Sequence, residues 1–152
     1  MLRQPDSHLL RRGRYSEPGR SYLITAVVYG RRPLFRDLRL GRLLVAELKR
    51  THDSGQVNSL ARVIMPDHFH WLFELQEMGL AQVMGRTKSR STLTINRARG
   101  TTGPFWQRGY PDRAVRAEED HRKIARYIIA NPLRAGLVKH IGDYPLWDAV
   151  WL

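Results

Sequence analysis

The stretch VIMPDHFHWLFEL, residues 63–75, predicts two strands joined by a tight turn at residues 65–67. Side chains alternate between the two faces of a strand. One face of the second strand is therefore wholly apolar and belongs in a core: Phe69, Trp71, Phe73 and Leu75. His68 and His70 share the other face, where their imidazoles stand side by side. The stretch thus predicts an antiparallel hairpin that is buried on one face and carries two histidines on the other.

Periodicity along the rest of the chain predicts the remaining elements. In chain order they are a strand over 21–29, a helix over 37–52, strands over 57–65 and 68–75, a helix over 79–99, a strand over 105–116 kinked at 109–111, and a helix over 118–131. This order indicates an α+β, ferredoxin-like split βαβ sandwich, with an antiparallel sheet and helices packed on one face. The opposite face, or an edge cleft, is then free for function.

The length favours a single domain over residues 1–152, with a basic N-terminal arm over 1–20 and a C-terminal tail over 137–152. The 26 Lys+Arg against 14 Asp+Glu give a formal net charge of +12. Such a surplus concerns partners rather than the fold. Because Arg far outnumbers Lys and its planar fork binds phosphate bidentately, nucleic acid is the first candidate and an anionic membrane surface the second.

The chain contains no cysteine, which excludes disulfides, thiolate zinc sites and a cysteine nucleophile. A metal ion would therefore need imidazole, carboxylate or amide ligands. No apolar run reaches the length of a membrane span, and the N-terminus MLRQPDSHLLRRGR lacks the apolar segment of a secretory signal. We expect a cytoplasmic protein, associated with the nucleoid and not with a membrane.

The histidine pair is the first candidate for chemistry. Two neutral imidazoles at i and i+2 on one strand face can reach the same divalent ion, and a nearby amide or carboxylate would complete a site for Mg²⁺ or Mn²⁺. Taken alone, His-x-His is more often two surface histidines on a solvated face. A second element is needed to favour the metal site.

The helix ending RYIIANP supplies that element. Four residues form its apolar arc: Ile124, Ala125, Ile128 and Ile129. Tyr127 and Asn131 lie one turn apart beside this arc, so a phenol and an amide project from the boundary of the buried face. Near a divalent ion a tyrosine can attack phosphorus covalently, and an amide oxygen can be a metal ligand. Taken singly, Tyr127 is equally a boundary aromatic, and Asn131 before Pro132 equally a helix cap.

Together these motifs resemble the single-tyrosine HUH transposases. MPDHFHWLFEL followed by ARYIIANPLRAGLV resembles the branch of REP-associated tyrosine transposases, within the IS200-like transposases, and the likeness covers nearly the whole chain. RRPLF, KSRS, FWQRGY and the ending GDYPLWDAVWL resemble the same branch. His68-Phe69-His70 fits the His-hydrophobe-His pattern that gives the superfamily its name.

The resemblance implies a metal-dependent enzyme that cleaves and rejoins single-stranded DNA near a hairpin formed by a repetitive extragenic palindrome. Tyr127 would be the nucleophile, leaving a 5′-phosphotyrosine link and a free 3′-OH. His68, His70 and Asn131 would hold Mg²⁺ or Mn²⁺. The branch suggests a monomer, whereas insertion-sequence relatives are dimers. Members of the branch often carry Asp-His where this chain has Asp112-Arg113, so a role of that histidine would be altered here.

The basic residues predict where DNA binds. Candidate DNA contacts are Arg11, Arg12 and Arg14 in the N-terminal arm, Arg86, Lys88, Arg90 and Arg97 on the helix over 79–99, and Arg108 in the strand over 105–116. Trp106 and Trp147 could stack on unpaired bases, although core packing is the more frequent use of such large aromatics.

Two other His-x-His enzyme classes are disfavoured by the residues that follow the pair. Histidine-triad hydrolases need a third His where Leu72 stands, and metallo-β-lactamase-like hydrolases need Asp-His where residues 72–73 are apolar. The serious alternative is a non-catalytic DNA- or RNA-binding module on the same scaffold. An RNA-binding sheet would expose aromatics on its free face, whereas this hairpin exposes histidines there. The sequence therefore favours the enzyme.

Overall fold

The computed structural model describes residues 16–116 and 119–151. Five antiparallel strands form one sheet in the order β4-β1-β3-β2-β5. Their bounds are Ser21–Val27 for β1, Val57–Met65 for β2, His68–Leu75 for β3, Asp112–Ala114 for β4 and Trp147–Ala149 for β5. The central strand β3 is the one that carries the two histidines.

The predicted hairpin is confirmed, and its register fixes the surroundings of the histidines. Met65 pairs with His68 and Val63 with His70 across the β2–β3 ladder. On the other side of β3, Thr25 of β1 pairs with His70. Both histidines therefore lie in the middle of the sheet, between β1 and β2.

In the described part of the chain the sheet is accompanied by the α-helices α1 (Leu38–Asp53), α2 (Leu80–Arg99), α3 (His121–Ile129) and α4 (Asn131–Arg134). Aspartate caps start α1 and α3, because the side chain of Asp37 accepts from the Arg39 N–H and that of Asp120 from the Arg122 N–H. Helix α2 ends at Gly100, whose φ of +69° is the left-handed conformation that terminates helices.

Helices α1 and α2 pack on the apolar face of the sheet. Trp71 is fully buried there, with Leu44 of α1 and Met84 of α2 in the same cluster. Gly41 permits α1 to approach the C-terminal tail, since a Cβ at that position would lie 2.6 Å from the Cδ1 of Leu146. The glycine in this helix is explained by a close contact that no larger residue could make without moving Leu146.

A second, smaller core lies on the opposite face. Ala125, Ile128 and Ile129 of α3 pack in it with Val63 and Leu72 of the sheet. The predicted α+β fold with helices on an antiparallel sheet is confirmed, and the two long helices share one face as expected. The expectation that all helices pack on one face is wrong for α3, whose apolar stripe packs on the histidine-bearing face. The helix that carries Tyr127 therefore covers part of the face that was expected to be free for function.

Two segments differ from expectation. Of the strand predicted over 105–116, only Asp112–Ala114 is regular; the preceding segment runs along β1 through one isolated bridge between Val28 and Trp106 and bends at Gly109, where φ is +65°. The tail over 137–152 contains an unpredicted strand, β5, which pairs with β2. Among the described residues, no helix combines the length and apolarity needed to cross a bilayer.

Replacing Leu44 by Ala tests the large core. Leu44 is fully buried, so Leu44→Ala is expected to lower the free energy of unfolding by about 2–5 kcal/mol in urea titrations. The matched control is Leu93→Ala, at a leucine that is 65% exposed on α2, which should change it by no more than about 0.5 kcal/mol. Equal losses in the two variants would contradict the packing described.

Candidate active site

His68 and His70 lie close together on the face that α3 partly covers. Their ring centroids are 4.9 Å apart, and both side chains are half-buried. The strand pleat brings them together, because the intervening Phe69 points into the large core. The arrangement is the one predicted from residues 68–70.

Each imidazole has a partner for its Nδ1 atom. His68 Nδ1 is 2.6 Å from an Asp67 carboxylate oxygen, and His70 Nδ1 is 2.8 Å from the hydroxyl oxygen of Thr25. When Nδ1 carries the hydrogen and donates it, Nε2 keeps a free lone pair. This is the usual orientation of a metal-binding histidine, with the second nitrogen fixed by a carboxylate or hydroxyl.

Burial keeps the His70 imidazole neutral, so that it has a lone pair to offer. Burial lowers the pKa of His70 to about 4, with further lowering by the charges of His68 and Arg134. Burial alone would raise the pKa of Asp67, but its interactions with His68 and with Arg31, 3.1 Å away, outweigh this and lower it. At neutral pH His70 is therefore neutral and Asp67 is ionised. His68 lies between them, hydrogen-bonded to Asp67 and with its ring 4.9 Å from that of His70.

Tyr127 and Asn131 lie at the junction of α3 and α4. The backbone of Ala130, between the two helices, remains in the α region at φ −75° and ψ −4°, so the junction does not reverse the chain. Tyr127 is 67% exposed, and Asn131 is partly buried. Pro132 is buried and needs no amide hydrogen at the start of α4. The predicted phenol and amide are both accessible from solvent on the histidine-bearing side.

Arg134 contacts both Tyr127 and Asn131, and it was not among the site residues predicted from the sequence. Its Nη2 donates to the amide oxygen Oδ1 of Asn131 at 2.6 Å and to the backbone oxygen of Tyr127 at 2.7 Å. Its guanidinium carbon lies 4.0 Å from the centroid of the Tyr127 ring, within cation–π range. Spacing could have revealed it, since positions 127, 131 and 134 follow one helical stripe.

The structure brings the two halves of the candidate site to the same side of the sheet. Helix α3 packs on Val63 and Leu72 of the histidine-bearing face, and the guanidinium of Arg134 contacts both Tyr127 and Asn131 at the end of that helix. Across residues 16–116 and 119–151, no group of three or more His, Asp or Glu side chains could hold a metal ion. Within the described residues, the candidates for a third ligand at the histidine pair are an amide, a backbone oxygen or water.

The predicted DNA contacts are distributed over more than one surface. Arg86, Arg90 and Arg97 are exposed on α2, on the sheet face opposite the histidines. Arg108 is exposed in the segment that runs along β1. Arg11, Arg12 and Arg14 lie outside the described residues.

Lys88, one of the predicted DNA contacts, makes hydrogen bonds within the protein. Its ammonium donates to the backbone oxygens of Gln107 at 3.0 Å and Gly109 at 2.6 Å, and lies 5.3 Å from the centroid of the Tyr110 ring. Lys88 therefore links α2 to the segment that bends at Gly109. The two tryptophans are packed as expected: Trp106 is buried and donates to Ser91, and Trp147 donates to the backbone oxygen of Ile141.

Arg113 stands where the family resemblance led us to expect a histidine. Its side chain binds Glu119, just before α3 begins. Its Nη1 lies 2.9 Å from both carboxylate oxygens of Glu119, and Glu119 also accepts from the Arg116 N–H at 2.9 Å. The Arg116 backbone and then the Arg113 side chain lower the pKa of Glu119. Since Asp120 caps α3, this cluster stabilises the chain where the Tyr127 helix begins.

Comparison with known proteins gives a consistent result. The family model described as "Transposase IS200 like" matches residues 19–131. The REP-associated tyrosine transposase of Escherichia coli (strain K12) is 28% identical over 133 residues, which cover 87% of this chain and 78% of that protein. The putative REP-associated tyrosine transposase of Haemophilus influenzae (strain ATCC 51907 / DSM 11121 / KW20 / Rd) is 27% identical over 108 residues, covering 64% of this chain and 61% of that protein.

A solved structure described as "Structure of the REP associates tyrosine transposase bound to a REP hairpin" superimposes with a TM-score of 0.74. The match covers 97% of this chain and 82% of that one at 22% identity. At this identity the match concerns the fold alone.

Replacing Glu119 by Gln tests the anchor before α3. The ionised carboxylate stabilises the fold, because its pKa is lowered in the folded chain. This contribution is complete at neutral pH and is lost as the pH falls through the lowered value. Glu119→Gln is therefore expected to melt below wild type at pH 7, and the difference should shrink between about pH 5 and pH 3. Glu77→Gln, at an exposed position, is the control. If the melting temperature of Glu119→Gln differed from that of wild type by the same amount at every pH, the stabilising role of the ionised Glu119 carboxylate would be refuted.

Proposed function

The chain belongs to the IS200-like transposase family, and from that premise we propose that it cleaves and rejoins single-stranded DNA beside a REP-like hairpin. Tyr127 is the proposed nucleophile, and His68, His70 and Asn131 are the proposed ligands of a divalent ion. The observation that carries the proposal is that the His68–His70 pair, with ring centroids 4.9 Å apart, shares a sheet face with α3, the helix that carries Tyr127.

The histidine pair suits a divalent ion of the Mg²⁺ or Mn²⁺ type. Both Nδ1 atoms are occupied by Asp67 and Thr25, which directs the two Nε2 atoms outward. The amide oxygen of Asn131 would complete a set of two nitrogens and one oxygen, and neutral ligands of this kind leave positions for water and phosphate. A bound ion would polarise the scissile phosphate and offset its charge.

The proposed reaction begins at the phenol oxygen of Tyr127. This oxygen forms a bond to the scissile phosphorus, and the 3′ oxygen of the preceding nucleotide leaves with the bonding electrons. The phenol proton passes to solvent, to which Tyr127 is largely exposed. The products are a 5′-phosphotyrosine link and a free 3′-OH. Attack by a 3′-OH on that link reverses the step and rejoins DNA without a nucleotide cofactor.

We propose that the DNA contacts extend around the edge of the sheet on the β4 side. The exposed arginines of α2 lie on one face, the candidate active site lies on the other, and Arg108 lies in the segment along β1 between them. A hairpin stem held by the α2 side and a single strand that reaches Tyr127 would use both surfaces. Arg11, Arg12, Arg14 and Lys88 remain candidates for further phosphate contacts. We further propose a single domain that acts as a monomer in the cytoplasm.

The alternative of a non-catalytic nucleic-acid binder is less well supported. Sheet surfaces that bind single-stranded RNA stack bases on exposed aromatics. Here the aromatics of β3 are buried, and the half-buried histidines occupy the other face. Those histidines would have no function in a module that only stacks bases.

Replacing Tyr127 by Phe tests the nucleophile. Wild type mixed with single-stranded hairpin DNA and Mn²⁺ is expected to form a covalent protein–DNA adduct that survives denaturing gels. Tyr127→Phe lacks the attacking oxygen and should form none, and EDTA should abolish the adduct of wild type.

The matched control is Tyr29→Phe, at a tyrosine that is 55% exposed outside the candidate site. It should form adduct at the wild-type rate. An adduct of undiminished yield in Tyr127→Phe would contradict the choice of nucleophile. Tight hairpin binding by wild type with no adduct in Mg²⁺ or Mn²⁺ would favour the non-catalytic binder.

Replacing Arg86 and Arg90 by Ala tests the α2 surface. If both contact phosphates, the double variant should bind the hairpin more weakly, and the slope of log affinity against log salt should become shallower by roughly 1.5. The control is the double variant Arg42→Ala, Arg50→Ala, which removes the same charge from exposed positions on α1. If the two double variants showed the same slope of log affinity against log salt, the DNA would not contact Arg86 and Arg90 on α2.

A further inference from the structure

Arg134 contacts both groups that the proposed function takes from the helix junction. Its Nη2 donates to Asn131 Oδ1 at 2.6 Å and to the Tyr127 backbone oxygen at 2.7 Å, while the guanidinium lies against the Tyr127 ring. Three contacts from one side chain hold the phenol and the amide in a fixed relation. The side chain itself is exposed, so it can move without opening either core.

The contact with Asn131 uses the same atom that the proposed metal ligand would use. A guanidinium at 2.6 Å makes a short, charge-assisted hydrogen bond to Oδ1. A divalent ion on that oxygen would stand directly beside a fixed positive charge, and like charges in contact repel strongly. Arg134 and the ion are therefore expected to exclude each other at Asn131.

The position of the charge supports this exclusion. Its Nη2 lies 2.6 Å from the amide oxygen of Asn131, so the positive charge of Arg134 stands on the atom that is proposed as a ligand. A guanidinium displaced from Asn131 would remain in the site, next to the Tyr127 ring. Its planar fork matches the non-bridging oxygens of a phosphate.

We propose that Arg134 is a positioning residue that occupies Asn131 in the metal-free protein, yields it to the ion, and then binds the phosphate that Tyr127 attacks. The inference rests on the proposed function, since it concerns the same site. It adds that the metal-free site is closed by an internal cation, and that loading of the ion and capture of DNA phosphate are coupled through one side chain.

Two measurements on Arg134→Ala should move in opposite directions. Removing the internal cation should tighten binding of Mn²⁺ to the DNA-free protein by about tenfold or more, as followed by the electron paramagnetic resonance signal of free Mn²⁺. Removing the phosphate contact should slow adduct formation with hairpin DNA by about tenfold or more at saturating Mn²⁺. A purely structural role would loosen Asn131 and weaken both.

Arg134→Gln keeps a donor for Asn131 without the charge and should also bind Mn²⁺ more tightly than wild type. It serves as the second variant, and thermal melting verifies that each protein is folded. Arg122→Ala removes one exposed charge from the far end of α3 and should leave Mn²⁺ affinity unchanged.

Mn²⁺ binding by folded Arg134→Gln or Arg134→Ala that equals or falls below that of wild type would overturn the inference. An unchanged rate of adduct formation in both variants would also overturn it, because the phosphate contact would be missing. If wild type forms no adduct but tightening of Mn²⁺ binding is seen, the failure lies in the proposed function and the competition at Asn131 stands.

Discussion

Burial of one face of β3 is the constraint on which the rest of the structure depends. Phe69, Trp71 and Phe73 are fully buried beneath α1 and α2. Because side chains alternate along a strand, this burial forces His68 and His70 onto the opposite face. The apolar residues that stabilise the fold thus also orient the two imidazoles, and a slip of one residue in the hairpin register would exchange the two sets.

The second face of the sheet is only partly covered, and this partial cover makes the candidate site. Helix α3 is short, and its apolar stripe is enough to hold it on Val63 and Leu72. Its last turn and α4 then project Tyr127, Asn131 and Arg134 at the margin of the covered area. Hydrogen bonds to Asp67 and Thr25 hold the two imidazoles, so the half-buried part of the site belongs to the sheet and the exposed part to the helices.

Local patterns were sufficient for most elements, and long-range contacts accounted for the differences. The strands over 57–65 and 68–75 were predicted with the bounds observed, because both are rich in apolar residues and residues 65–67 form the turn between them. Strand β5 was missed, since three residues in an irregular tail carry no periodic signal and become a strand only by pairing with β2. The strand over 105–116 was overextended, because Gly109 bends the chain and only Asp112–Ala114 keeps its ladder with β1.

The sequence by itself determined the antiparallel hairpin, the shared face of His68 and His70, and the stripe that places Tyr127 one turn before Asn131. These follow from the periods of strand and helix, which are local and read directly from the order of residues. Only the tertiary structure decided that α3 lies on the histidine-bearing face, that Arg113 pairs with Glu119, and that the Arg134 guanidinium hydrogen-bonds to Asn131. Those relations depend on contacts between residues distant along the chain or on side-chain rotamers, and no local period encodes them.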